Sequence, residues 1–159
     1  MVESLSGQIT RRIGEVAIIY HRLVLVVAPP GRGKTRALQE VAERTGLPLI
    51  NLNLELSQRL LDMTERQRII HVSRLLGEIV SAHANQAVLL DNTEILFDPS
   101  LKQNPLLLLQ GVSRNKVIVA AWNGTVEKGH LIYATPDHPE YRRYAAHDLV
   151  IVSPEAGSK

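Results

Sequence analysis

The residues best suited to chemistry lie in Ala28-Pro29-Pro30-Gly31-Arg32-Gly33-Lys34-Thr35, between an unbroken apolar run and a helical pattern. Their types and spacing are those of a polyphosphate cradle. A loop that wraps phosphate oxygens must turn backbone N–H groups inward, and glycines at 31 and 33 permit the dihedral angles and close approach this requires. The following helix directs the partial positive charge of its N-terminus at the same point. Lys34 is then placed to reach the β- and γ-phosphates, and the Thr35 hydroxyl to ligate Mg2+. The expected phosphate-binding set is Pro30, Gly31, Arg32, Gly33, Lys34, Thr35 and Arg36. Ala28 replaces the first glycine of the pattern, at a strand end where a small side chain suffices.

A second acidic position completes the chemistry. Ala87-Val88-Leu89-Leu90 reads as a buried strand and ends in Asp91. A carboxylate at the end of a neighbouring strand holds Mg2+ in P-loop proteins, so Thr35 and Asp91 are the expected metal pair. Motor-type P-loop enzymes follow that aspartate with a glutamate that orients the attacking water; here Asn92 follows it. Glu94 is the nearest glutamate, read either as the water-orienting group or as a first-turn charge favoured by a helix dipole. The six histidines are scattered, none paired with a carboxylate on one helix face, so no zinc site is expected.

These groups need a scaffold that alternates strand and helix, as in an α/β domain with a mostly parallel sheet. Leu5, Ile9, Ile13, Val16 and Tyr20 recur at helical spacing. Leu23 to Ala28 is a central strand covered on both faces. A helix follows from Lys34 to Arg44, closed by Gly46 and Pro48. Leu49 to Leu54 is a strand, and Ser57 to Ala84 is helical with a break near Thr64. After Asp91, Asn104 and Pro105 start a helix that runs to Ser113. Lys116 to Trp122 is a strand, Thr125 to Thr135 a hairpin, Pro139 to Ala145 a short helix and Leu149 to Val152 the last strand. The expected fold class is a P-loop NTPase-type three-layer sandwich with a five-stranded, mostly parallel sheet. Residues 1–159 are read as one domain, with an N-terminal helix over 1–20 and the α/β core over 22–153.

Composition agrees with a packed domain. The chain has 159 residues, 45% hydrophobic and 21% charged, so it can bury a core and is not of a disordered class. With no cysteine, disulfides, thiolate metal sites and thiol catalysis are excluded. No signal peptide is read in residues 1–17, and the apolar run from Leu23 to Pro30 is too short to span a bilayer, so no membrane partner is expected. The sequence pI of about 9.1 lies in the range of nucleic-acid binders, but the net charge is only +2. The charge count weighs more, and bulk nucleic-acid affinity is not implied. The Arg59, Arg66, Arg68, Arg74 surface is interleaved with Asp62 and Glu65 and reads as a solvated helix face.

The loop from Ala28 to Thr35 and the order of elements resemble an AAA+ core. That resemblance implies ATP as the nucleotide, with Asn123 at the end of Val117–Trp122 sensing the γ-phosphate. It also implies an arginine reaching a neighbour's nucleotide: Arg142 or Arg143, with Arg114 a third candidate. Leu54-Glu55-Leu56-Ser57, the run Leu90–Phe97, Ser113-Arg114-Asn115, Ala121–Thr125 and His138–Tyr144 together resemble the BrxF family, small P-loop proteins of BREX phage-defence systems. This second resemblance covers nearly the whole chain. It implies a cytoplasmic, ATPase-like subunit working with other BREX components: a DNA methyltransferase, a phosphatase-like protein and a larger ATPase. One departure from AAA+ proteins is expected. Seven residues after Val152 leave no room for a helical lid, so the adenine would be covered only by the N-terminal helix and the Tyr20-His21 turn.

Three readings follow from the sequence. The first is an ATP-hydrolysing switch that assembles into a ring and acts on DNA or partner subunits. The second is a nucleotide-holding adaptor that does not hydrolyse. The third, a small-molecule kinase, has least support, because the chain offers only the 125–135 hairpin and the Arg142-Arg143 pair in place of a substrate insert and an arginine-bearing lid. Lys128 and His130 are the basic residues of that hairpin, which reads as a surface feature with no aromatic stack for single strands.

Overall fold

A computed structural model describes residues 3–134 and 137–154. The elements are α1 (Leu5–Val16), β1 (Leu23–Ala28), α2 (Lys34–Thr45), β2 (Leu49–Asn51), α3 (Leu52–Leu60), α4 (Glu65–Ser81), β3 (Ala87–Asp91), α5 (Pro105–Val112), β4 (Val117–Glu127), β5 (His130–Tyr133), β6 (Arg142–Ala145) and β7 (Val150–Val152). Two short 3-10 turns, Thr93–Phe97 and Pro99–Leu101, link β3 to α5.

Five strands pair in the order β2-β3-β4-β1-β7, all parallel. Alternation along β1 sets the layers. Val24 and Val26 pack with Ile9, Leu38 and Val41 beneath α1 and α2. Leu23, Leu25 and Val27 join Leu56, Leu76 and Leu109 beneath α3, α4 and α5. The result is a mixed α/β three-layer sandwich with a mostly parallel sheet. Among the described residues no helix is long and apolar enough to cross a membrane.

Three local expectations are corrected, and a fourth, the helix break near Thr64, is met. The second strand stops at Asn51 because the Asn51 side chain accepts a hydrogen bond from Leu54 N at 3.1 Å and caps α3. The break near Thr64 is a capping box: Gln67 N donates to Thr64 Oγ1 at 3.2 Å, and Thr64 N to Gln67 Oε1 at 2.9 Å. Tyr20 lies outside α1, which ends at Val16, and is exposed. The short helix expected over Pro139–Ala145 is instead a turn leading into β6, which pairs antiparallel with β5. That pairing turns Arg142 and Tyr144 towards the interior and leaves Arg143 and Ala145 exposed. Residue 135, at the end of the expected hairpin, lies outside the described residues; the hairpin itself is formed by the extension of β4 and β5.

Candidate functional site

The C-terminal ends of β1 and β3 and the point where β4 leaves its parallel pairing, at Asn123, converge on one cleft, and each delivers a different group. After β1, Gly31 and Gly33 take φ values of 81° and 90°, the left-handed region open to glycine. Gly33 is the N-cap of α2, and Lys34 is its first residue. The space above both glycines is open: a Cβ at either would meet nothing within 4 Å. A bulky group can therefore approach the backbone there.

The cleft has a volume of about 330 Å3 and is lined by Pro30, Gly31, Gly33, Lys34, Thr35, Arg36, Asp91, Asn92, Glu94 and Asn123. The structure thus brings together the predicted phosphate loop, the predicted metal pair, Glu94 and Asn123. Arg32 is exposed and does not line the cleft.

Thr35 Oγ1 donates to Asp91 Oδ2 at 2.7 Å. The other carboxylate oxygen, Oδ1, accepts from Asn92 N at 2.9 Å. The Thr35 proton is thus directed at Asp91, leaving oxygen lone pairs free for a cation. Among the described residues no three His, Cys, Asp or Glu side chains come together as a metal cage. Thr35 and Asp91 are an open pair that could hold Mg2+, with its remaining ligands left to other groups.

Lys34 is only 6% exposed. Its Nζ donates to the carbonyls of Ala28 at 2.7 Å and Pro29 at 3.0 Å, within its own loop. Burial holds its pKa below the usual lysine value, opposed by the charges of Glu94 and Asp91. An arriving phosphate would replace the two neutral carbonyls with an anion and favour the charged ammonium.

Asn92 takes φ 55°, left-handed, which turns the chain sharply after β3. Glu94 follows in the 3-10 turn, and its Oε1 accepts from Asn123 Nδ2. The residue between them was not singled out in the sequence. Thr93 is buried and its hydroxyl donates to Ala121 O, pinning the turn to β4 two residues before Asn123. A threonine after a capping-type asparagine gives no sequence signal for such a bond across 28 positions.

The arginines are placed apart. Arg142 and Arg143 lie on β6, outside the cleft lining. The Arg142 guanidinium donates to the carbonyls of Tyr141 at 3.2 Å and Gln103 at 3.3 Å. Arg143 is exposed, with one nitrogen 3.3 Å from His130 Nδ1. Arg114 stacks over the Tyr20 ring at 5.3 Å, near the start of β1. That end is separated from the phosphate loop by six strand residues, about 20 Å at ~3.3 Å each. The Tyr20-His21 turn therefore lies far from the phosphate loop.

No family model matches the chain, and no curated protein matches it. Among solved structures, it is similar to that of C. elegans PCH-2, with 17% identity and a TM-score of 0.47 over 94% of this chain. The chain spans 43% of the length of that structure.

Proposed function

We propose that the chain binds ATP with Mg2+ and acts as an oligomeric nucleotide-dependent switch, with slow or partner-stimulated hydrolysis, in a bacterial BREX anti-phage system. The observation that carries the nucleotide reading is the meeting of Lys34, Thr35, Asp91, Glu94 and Asn123 in one cleft over an open glycine loop. The BREX setting, with its partner subunits and DNA, rests on the resemblance of the sequence blocks alone.

The residues divide the work. Backbone N–H groups of residues 31–35 and the Lys34 ammonium hold the phosphate tail. Thr35 and Asp91 would hold the cation, which would supply charge neutralisation at the phosphate oxygens. Asn123 fixes Glu94 through Oε1. The other carboxylate oxygen is left to accept a proton from a water directed at the terminal phosphorus.

A second reading, the non-hydrolysing adaptor, is favoured by one observation: Asn92, a neutral residue in a left-handed turn, stands directly after Asp91, so hydrolysis depends wholly on Glu94. ATP hydrolysis by wild type and Glu94→Gln, with and without DNA, separates the two. The switch reading expects the substitution to lower turnover by about a hundredfold or more while nucleotide binding persists. Turnover unchanged by Glu94→Gln removes Glu94 from the mechanism.

A further inference from the structure

A second cleft, of about 470 Å3, adjoins the phosphate cleft and shares Glu94 with it. It runs between α3 and the start of α4 on one side and the two 3-10 turns on the other, with Glu140 from the turn before β6. Its volume is within the range of small-molecule sites.

The chemistry of its wall is mixed in a particular way. Asp98 is already used: its Oδ1 accepts from both Ser100 N and Ser100 Oγ at 2.9 Å. Arg68 is not. Its Nε donates to Met63 O at 3.2 Å, and among the described residues its two terminal nitrogens make no hydrogen bond or ion pair. The Glu140 carboxylate likewise makes no hydrogen bond or ion pair among the described residues, while the residue's backbone N–H donates to His138 Nδ1 at 3.0 Å. Arg68 and Glu140 line the same cleft yet stand beyond the 4.0 Å of an ion pair. Two opposite charges facing one cavity without meeting leave room for a molecule carrying both complementary charges. Leu60 and Leu101, both buried, and Ile95 add an apolar part to the same lining.

We propose that this cleft binds a small zwitterion of the α-amino-acid type with an apolar side chain. Its carboxylate is held by Arg68, its ammonium by Glu140 and Glu94, and its side chain lies on Leu60, Ile95 and Leu101. The site needs no nucleotide. Only its consequence, altered hydrolysis through the shared Glu94, rests on the ATP reading.

The test uses the full chain without nucleotide, so its failure is separate from any failure of ATP binding. Methyl resonances of Leu60, Ile95 and Leu101 are followed while L-leucine, isoamylamine (no carboxylate) or 4-methylpentanoate (no ammonium) is added. Leucine is expected to bind in the millimolar range, roughly tenfold more tightly than either truncated probe. Arg68→Gln is expected to bring leucine to the level of isoamylamine while leaving isoamylamine unchanged, which also shows the variant to be folded. Glu140→Gln is expected to weaken leucine and isoamylamine but not 4-methylpentanoate. No shift with leucine, leucine no tighter than both truncated probes, or leucine binding unaffected by Arg68→Gln overturns the proposal.

Discussion

At the residue scale, the candidate site is a set of paired groups, each orienting the next. Thr35 gives its proton to Asp91 and Asn123 holds one oxygen of Glu94. Thr93 is the least visible member, acting from below by fastening the turn that carries Glu94 to Ala121 on β4. Thr93→Val keeps the shape but removes the donor, and is expected to cost about 1–2 kcal/mol of stability. It should also lower ATP turnover roughly tenfold by loosening Glu94, with the affinity for ATP unchanged. Thr93→Ser restores the donor and should recover most of both, as read by urea unfolding and steady-state hydrolysis. The meeting of the glycine loop with Asp91 was legible in the sequence because backbone geometry and charge restrict which residues such positions accept. Thr93 and the Arg68–Glu140 cleft were not, because both depend on which distant segments fold together, and a single hydroxyl or guanidinium carries no pattern of its own.

At the scale of elements, the part furthest from the sequence reading is the antiparallel extension of β4 with β5 and β6. The alternation of Thr125 to Thr135 predicts a hairpin, but Pro139 to Ala145 reads as a helix where the structure has a third strand. Pro139 at the start of a seven-residue stretch suits a first helical turn as well as it suits a loop. What decides is tertiary: Tyr144 packs edge-on to Trp122 at 5.8 Å, and its hydroxyl donates to Asn104 Oδ1 at 3.0 Å. The strand pairing is tight at Gly124, where an added Cβ would lie 1.9 Å from Ile132 O. Gly124→Ala is therefore expected to destabilise the chain by about 3 kcal/mol in urea or thermal unfolding. Tyr133, stacked on Phe97 at 3.6 Å, has its phenol pushed from 10.0 up to about 12, first by burial and then by the charges of Glu140 and Glu94. The folded state thus keeps a proton that the unfolded chain loses near pH 10. The contribution is intact below pH 10 and declines as pH rises towards 12, which ultraviolet tyrosinate titration combined with unfolding measurements will show.

On the scale of the whole molecule, the five parallel strands were readable because β1 and β3 are continuous apolar runs, buried on both faces. The proposed assembly is tested at two adjacent arginines that the fold treats differently. Arg142 is bound to two carbonyls within the chain and reads as structural, whereas Arg143 faces outward. If a ring forms with each site completed by its neighbour, Arg143→Ala should lower ATP turnover by about a hundredfold or more without unfolding the protein. Arg142→Ala should instead lower the melting temperature. Solution mass with an ATP analogue and Mg2+ should show the assembly in wild type.

All of this stands on the glycine loop holding a triphosphate. The direct measurement is equilibrium binding of ATP in the presence of Mg2+, by calorimetry, to wild type and Lys34→Ala. Saturable one-to-one binding, weakened at least about tenfold by loss of the amine, is the expected result. No binding by the wild type, or equal binding by both proteins, would contradict the account.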